Sequence, residues 1–143
     1  MQAVLKYQDG ICFEASTESG HTVVIDGPLQ SGGKNQGPRP MELVLLALGS
    51  CSGVDVALML QKMRVQLDDF AIHLDGTRRE REPKVYEHIM LQYRLHSPDL
   101  SEAQAKRAVH LSVEKYCSVS EMLRATVNLS VQVFLNDQLL EEF

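Results

Sequence analysis

Two cysteines in this chain lie in sequence contexts that favour thiol chemistry. Cys51 lies in the middle of a long apolar run, between Ser50 and Ser52, which are small residues that leave space around its sulfur. Cys117 immediately precedes a predicted helix, whose free N–H groups and dipole stabilise a thiolate, the nucleophilic form of cysteine. Both are therefore candidate catalytic residues. Cysteine is also a good buried residue, and for each of the two this purely structural alternative stays open.

The third cysteine and the histidines give no comparable site. Cys12 lies within a predicted strand and has no feature that would activate its thiol. His73 and His88 fall opposite the apolar faces of their predicted strands, and His110 shares a helical face with charged residues, so all three are predicted to be surface residues. The sequence contains no HExxH, no CxxC and no phosphate-binding or dinucleotide-binding glycine pattern. We therefore expect no metal and no cofactor.

Composition indicates one soluble domain, residues 1–143, with no nucleic-acid partner. The chain has 143 residues, with 14 Lys and Arg against 19 Asp and Glu, a net charge of −5. An acidic chain without a basic tract is poorly suited to neutralise phosphates. The N-terminal segment lacks the basic start and apolar core of a signal peptide. Three widely spaced cysteines do not form a disulfide framework, so we expect free thiols in the cytoplasm.

The elements that must position Cys51 and Cys117 follow the order βββ-α-ββ-α-α-β, an α+β layout. Alternating apolar residues and turn signals predict the strands. Capping boxes at Ser101 and Ser118 predict two helix starts, and Pro40 suits the first position of another helix. The predicted strands are Val4–Tyr7, Ile11–Ala15, Thr22–Asp26, Phe70–Gly76, Tyr86–Leu95 and Val127–Leu135, and the helices run from Pro40 to about Arg64, from Ser101 to about Tyr116 and from Ser118 to about Ala125.

The helix that begins at Pro40 is apolar nearly all round, so other elements must cover it on several sides. Its length and composition also suit a membrane span, but Asp55 near its middle makes a span costly and a buried helix is the better interpretation. Gly49 and Gly53 would allow another element to approach its backbone closely. Few elements remain in one chain to cover this helix, which favours a homodimer and no membrane.

Two segments that contain these cysteines are similar to signatures of the OsmC-like family, which includes the organic hydroperoxide resistance proteins. The first is Arg-Pro-Met-Glu-Leu-Val-Leu-Leu-Ala-Leu-Gly-Ser-Cys over residues 39–51. The second is Glu-Lys-Tyr-Cys-Ser-Val-Ser over residues 114–120. The order of elements also matches, so the resemblance covers essentially the whole chain. It implies the OsmC-like fold, an intertwined homodimer with long central helices and two sites at the interface.

The resemblance also implies a thiol peroxidase. Cys51 would attack an organic or lipid hydroperoxide and become a sulfenic acid, and Cys117 would condense with it to form a disulfide. A dithiol, either a lipoyl protein or a thioredoxin-type donor, would then reduce that disulfide. An apolar pocket beside Cys51 would favour apolar hydroperoxides over hydrogen peroxide. Glu42 is the candidate for the family's catalytic glutamate.

The sequence departs from the peroxidase pattern in ways that keep alternatives open. No arginine precedes residue 39, so the family's arginine on an early strand is missing; Arg39, or an arginine from another part of the dimer, could substitute for it. Glu42 lies nine residues before Cys51, one residue closer than the family's glutamate. At about 100° per residue, this spacing puts it on the opposite helix face, where it would serve only the helix dipole. Asp55, one turn after Cys51, would oppose ionisation of that thiol.

Local chemistry therefore favours Cys117 as the readier thiolate, whereas the order of motifs favours Cys51 as the attacking residue; we follow the motifs. The chain is most similar to an outlying redox-protein branch of the family. The alternatives to a peroxidase are a non-catalytic or weakly catalytic redox sensor or small-ligand-binding protein on the same fold, and a purely structural dimer.

Overall fold

The computed structural model describes residues 1–143 and divides into two compact units, Met1–Leu46 and Ala47–Phe143. It contains three α-helices and two β-sheets, so the predicted α+β class is confirmed. The strands are β1 (Ala3–Tyr7), β2 (Phe13–Thr17), β3 (Thr22–Ile25), β4 (Asp69–Arg78), β5 (Tyr86–His96), β6 (Asn128–Leu135) and β7 (Gln138–Glu142), and the helices are α1 (Pro40–Lys62), α2 (Glu102–Leu111) and α3 (Ser118–Arg124).

The first unit is built on an antiparallel three-stranded sheet in the order β1-β2-β3. Tyr7 pairs with Phe13 across the first hairpin, and Gly10 in its turn has a φ of +55°, which glycine adopts without strain. The predicted hairpin is therefore confirmed. β2 begins two residues later than predicted, because Ile11 and Cys12 still belong to the turn.

Asp26 organises the Gly- and Pro-rich loop that follows β3. Its carboxylate accepts hydrogen bonds from the backbone N–H groups of Gly27 at 2.7 Å, Lys34 at 3.0 Å and Gln36 at 3.1 Å. These bonds hold the pKa of Asp26 below its usual value, with the Gly27 bond making the largest contribution. Only 2% of the residue is exposed. One buried carboxylate therefore fixes the loop that leads to α1.

The helix α1 begins where the sequence predicts. Pro40 occupies its first position, and Glu42 accepts a hydrogen bond of 2.9 Å from the backbone N–H of Arg39 just before the helix. This contact satisfies one of the free donors at the helix start. Lys62 closes the helix, two residues before the predicted end.

The second unit is built on a four-stranded sheet in the order β4-β5-β6-β7. The β5–β6 pair is parallel and the other two pairs are antiparallel, because the chain passes through α2 and α3 between β5 and β6. The strand β7 was not predicted: it is short, and only Asn136 and Asp137 separate it from β6, both with positive φ as a tight hairpin requires. One face of the sheet is apolar and buried, with Ile89, Leu91, Tyr93, Val131 and Val133 at its centre.

The C-terminal part of α1 packs closely on this buried face. A Cβ atom at Gly49 would lie 2.7 Å from a methyl carbon of Leu74, and one at Gly53 would lie 3.0 Å from a methyl carbon of Ile72. The two glycines therefore permit the close approach predicted from the sequence.

The opposite side of α1 is uncovered in the single chain, as expected from the few elements that remain to cover this helix. Val54 is 58% exposed and Leu58 is 48% exposed. By length and composition alone α1 could cross a membrane, a property that core helices of soluble proteins share.

The segment between β5 and β6 differs from the single helix predicted up to Tyr116. Ser101 caps α2 and forms the predicted capping box with Gln104. The regular α-helix ends at Leu111, and residues Ser112–Tyr116 form a wider π-helical turn, which we call the π-turn. Propensity patterns do not distinguish an α-turn from a π-turn, since both keep helical backbone angles. Cys117 is the residue that directly follows the π-turn.

Candidate functional site

The second unit brings Cys51 and Cys117 together. Cys51 lies on the part of α1 that packs against the sheet, and Cys117 lies at the junction between the π-turn and α3. The two thiols are close enough that Cys51 contributes to the raised pKa of Cys117. Cys51 is partly exposed, whereas Cys117 is 2% exposed, and neither is in a disulfide. Cys12, the third cysteine, is also free but belongs to the first unit, where it is 3% exposed.

Cys117 is the N-cap residue of α3. Its sulfur accepts a hydrogen bond of 3.3 Å from the backbone N–H of Ser120. The predicted cap, Ser118, instead occupies the first helical position. The prediction was wrong by one residue because a cysteine sulfur fills the role that a hydroxyl usually fills.

Burial decides the ionisation of Cys117. The pKa of its thiol is raised, first by burial and further by the interaction with Cys51, while the hydroxyl and the amide of Ser120 act in the opposite direction. The Ser120 hydroxyl is buried and has no hydrogen-bond partner in the structure, so the direct bond to the sulfur comes from the Ser120 backbone N–H. The helix start does not lower the pKa of Cys117 as the sequence predicted, because desolvation outweighs the hydrogen bond that its sulfur accepts.

Three hydroxyl groups form a network next to the cysteines. The hydroxyl of Tyr93 on β5 hydrogen-bonds that of Ser52, the residue after Cys51. The Ser112 hydroxyl donates a hydrogen bond of 2.9 Å to the backbone carbonyl of Ser52. All three residues are fully buried. Burial raises the pKa of Tyr93 far above its usual value, so its phenol stays protonated.

The sequence alone points to no role for these hydroxyls. Tyr93 was identified only as one of the inward-facing residues of its strand, and Ser112 was a position within a predicted helix. One signal in the sequence could have indicated them: polar groups on faces that are otherwise apolar. A buried hydroxyl requires a hydrogen-bond partner, so such positions predict a polar contact inside the protein.

Asp55 lies one turn beyond Cys51 on α1. Its Oδ2 atom is buried and has no hydrogen-bond partner, and its charge is among the influences that raise the pKa of Tyr93. A buried carboxylate oxygen without a partner is costly and usually has a functional or structural explanation. The carboxylate predicted near the thiols is therefore present, without a cation to balance it in this unit.

Arg39 and Glu42, the remaining candidates from the sequence, lie in the first unit and bind each other. Arg39 Nη1 is 3.4 Å from Glu42 Oε1, and the two side chains are 49% and 50% exposed. Glu42 also accepts a hydrogen bond from the backbone N–H of Arg39. These contacts match the alternative to catalysis, in which Glu42 only stabilises the start of the helix. A catalytic role for either residue remains a prediction.

A cavity of about 360 Å³ adjoins Cys117. Apolar side chains of Val113, Tyr116 and Met122 line it together with charged residues. Tyr116 and Met122 are exposed, so the cavity is open to solvent on that side. The family resemblance implied an apolar pocket beside Cys51, whereas this cavity lies beside Cys117 and has a mixed lining. No group of three or more His, Cys, Asp or Glu side chains is arranged to hold a metal ion.

Comparisons with known proteins agree with the resemblance in the two cysteine segments. The family model of the OsmC-like proteins matches residues 33–132. Protein YhfA of Escherichia coli strain K12 is 44% identical over 130 residues, which cover 91% of this chain and 94% of that protein.

Solved structures share the fold. A hypothetical protein from Aquifex aeolicus VF5 has a TM-score of 0.82 at 36% identity, covering 94% of this chain and 95% of the other. An organic hydroperoxide resistance protein OsmC from Legionella pneumophila has a TM-score of 0.67 at 17% identity, covering 94% and 97%. At that identity the second similarity concerns the fold alone. The family model and the YhfA match carry the assignment: this chain belongs to the OsmC-like protein family.

Proposed function

We propose that this protein is a thiol peroxidase that reduces organic or lipid hydroperoxides through Cys51 and Cys117. The observation that carries the proposal is that Ser112 hydrogen-bonds both the residue after Cys51 and the N–H of Cys117, which holds two free thiols in one site, while Cys12 belongs to the other unit. Hydroperoxide resistance proteins with the same fold support the choice of substrate class.

In the first step the Cys51 thiolate attacks the distal oxygen of the hydroperoxide and the O–O bond breaks. Cys51 becomes a sulfenic acid, and the leaving alkoxide takes up one proton to give the alcohol. The Cys117 thiol then attacks the sulfenic sulfur, forming the disulfide and releasing water. A dithiol donor, of lipoyl or thioredoxin type, reduces the disulfide and is itself oxidised to a disulfide.

Two features support the assignment of Cys51 as the attacking residue. Cys51 is the more exposed of the pair, so a hydroperoxide reaches its sulfur first. Cys51 also lies in the first of the two segments that are similar to the OsmC-like signatures, and that similarity implies the attacking cysteine there.

The proposed enzyme is a cytoplasmic homodimer with a single OsmC-like domain, residues 1–143, in each chain. The uncovered side of α1, with Val54 and Leu58, is an apolar surface that a second copy would bury. In the first unit, Val4, Leu5 and Phe13 are likewise exposed on the β1-β2-β3 sheet. Free thiols suit a reducing compartment.

One observation favours a second candidate, a redox-sensing protein with little peroxidase activity. The largest influences on the pKa of Cys117 are burial, Ser120 and Cys51, and none is a cation. Arg124, which follows the site in sequence, donates a hydrogen bond of 2.7 Å to the Val113 carbonyl. A thiol pair without an arginine would react slowly with peroxide and still form a disulfide with other oxidants.

Single-turnover oxidation with cumene hydroperoxide distinguishes the two candidates. For a peroxidase we expect rapid loss of two thiols per chain at one equivalent of oxidant. Cys51→Ser should abolish this loss, and Cys117→Ser should stop the reaction at a sulfenic acid that dimedone traps. Cys12→Ser is the matched control and should react like the wild type. Loss no faster than that of a free thiol would refute the peroxidase and favour the sensor.

A further inference from the structure

In the second unit, Ser112 hydrogen-bonds the residue after Cys51 and also Cys117 itself. It is the first residue of the π-turn and is fully buried. Its hydroxyl donates a hydrogen bond of 2.9 Å to the carbonyl of Ser52, the residue that follows Cys51. This bond joins the π-turn to α1 one residue from the attacking sulfur.

The backbone of Ser112 also holds Cys117. The N–H of Cys117 donates a hydrogen bond of 2.8 Å to the Ser112 carbonyl, five residues earlier in the chain. In a regular α-helix that N–H would bind the carbonyl of Val113 instead. Ser112 therefore contacts α1 through its side chain and Cys117 through its main chain.

The carbonyl that the π-turn leaves without its helical partner is satisfied by Arg124 from α3. Its Nη2 atom donates a hydrogen bond of 2.7 Å to the oxygen of Val113. The π-turn is thus held at its first residue by α1 and at its second by α3. Isolated π-helical turns are uncommon and occur often at functional sites.

We infer that Ser112 is a positioning residue for the Cys51–Cys117 pair, and that its hydrogen bond to the Ser52 carbonyl sets the approach of the two sulfur atoms. The inference rests on the proposed function in one respect, namely that the pair forms a disulfide. A disulfide tolerates only a narrow range of distances and dihedral angles. An anchor between the two backbones keeps the thiols within that range and raises their effective concentration towards each other.

The redox equilibrium with glutathione tests the inference without any peroxide. The chain dithiol and oxidised glutathione exchange to give the chain disulfide and two molecules of reduced glutathione. We would measure this equilibrium in a Cys12→Ser background, in which Cys51 and Cys117 are the only thiols. Comparison of wild type, Ser112→Ala and Ser112→Thr isolates the hydroxyl of Ser112.

Ser97→Ala is the matched control. Ser97 is 1% exposed, and its hydroxyl donates a hydrogen bond of 2.7 Å to the backbone carbonyl of Gln66 and accepts one of 3.2 Å from the Asp99 N–H. The substitution therefore also removes a hydroxyl–carbonyl bond, away from the cysteines. Thermal unfolding followed by circular dichroism establishes that each variant folds. Both alanine variants should lower the melting temperature by similar amounts.

We expect Ser112→Ala to shift the equilibrium towards the dithiol by about tenfold, the effect of losing one hydrogen bond. Ser112→Thr keeps a hydroxyl and should stay within about threefold of wild type, and Ser97→Ala should not change the equilibrium. An unshifted equilibrium in folded Ser112→Ala, or an equal shift in Ser97→Ala, would overturn the inference. So would a wild-type chain that forms no disulfide in oxidised glutathione. Slow reaction with cumene hydroperoxide would refute only the peroxidase.

Discussion

The hydroxyl of Tyr93 on β5 hydrogen-bonds the hydroxyl of Ser52 on α1, next to Cys51. Both residues are fully buried, so each hydroxyl depends on the other for a partner. The same Ser52 offers its carbonyl to Ser112. The segment of α1 that carries the candidate nucleophile is therefore fixed from the sheet on one side and from the π-turn on the other.

A double-mutant cycle should reveal the strength of the Tyr93–Ser52 contact. Tyr93→Phe leaves the Ser52 hydroxyl buried without its partner, and we expect a loss of about 1–3 kcal/mol in the free energy of unfolding. Ser52→Ala should cost a similar amount. The double variant should lose less than the sum, because both polar groups are then absent. Urea unfolding of the four proteins provides the values. Strictly additive losses would show that the hydroxyls do not stabilise each other.

The sequence predicts the parts of the site that depend on local pattern. Alternating apolar residues locate the buried face of β5, and the proline and first-turn glutamate locate the start of α1. The glycines 49 and 53 predict the close helix–sheet approach that Leu74 and Ile72 complete.

The ionisation of Cys117 follows from tertiary burial, which a local helix-start pattern does not reveal. The prediction of a thiolate at a helix N-terminus applies to an exposed sulfur, but Cys117 is only 2% exposed. The π-turn also cannot be predicted from local sequence, since the residues that stabilise it, Ser52 and Arg124, are distant in sequence. Long-range contacts decide both features.

The alkylation of Cys117 should depend on pH and on Ser120. The pKa of Cys117 is raised above the ordinary value, so iodoacetamide should modify it slowly at neutral pH and faster as the pH rises through that elevated pKa. The Ser120 hydroxyl acts to lower the pKa of Cys117, so Ser120→Ala, which keeps the backbone N–H, should move the profile to still higher pH. Ser118→Ala, at the exposed neighbouring position, should leave it unchanged.

Peptide mass spectrometry of the reduced protein separates the three cysteines in this measurement. Cys12 should also react slowly, because burial and the nearby Asp26 carboxylate raise its pKa. A Cys117 profile with its midpoint below the value of a free cysteine would contradict the predicted direction.

Asp26 should stabilise the first unit only when it is ionised. Its pKa in the folded chain lies below the unfolded value, which is about 3.9. The stabilisation is therefore present above about pH 4 and is lost as the pH falls through the folded-state pKa. Asp26→Asn should destabilise the loop at pH 7, and the difference from wild type should shrink in acid.

Hydrogen exchange at the amides of Gly27, Lys34 and Gln36 reports on this loop directly, because these N–H groups donate to the Asp26 carboxylate. Glu14→Gln is a suitable control, since Glu14 lies in the same unit and is exposed. Equal protection of the three amides in wild type and Asp26→Asn at pH 7 would show that the carboxylate does not hold the loop.

The uncovered side of α1 makes the proposed homodimer testable by one substitution. Leu58 is 48% exposed on the helix that the sequence marks as apolar nearly all round. A lysine buried at a subunit interface carries a large desolvation cost, whereas a lysine in water carries none. If α1 faces a second copy, Leu58→Lys should convert the dimer to a monomer at micromolar concentration, as measured by sedimentation velocity. Leu139→Lys on β7, where the leucine is 47% exposed, is the matched control and should remain dimeric. A wild-type chain that sediments as a monomer would refute the proposed homodimer. A Leu58→Lys variant that stays dimeric would place the interface elsewhere and leave the apolar side of α1 to another partner.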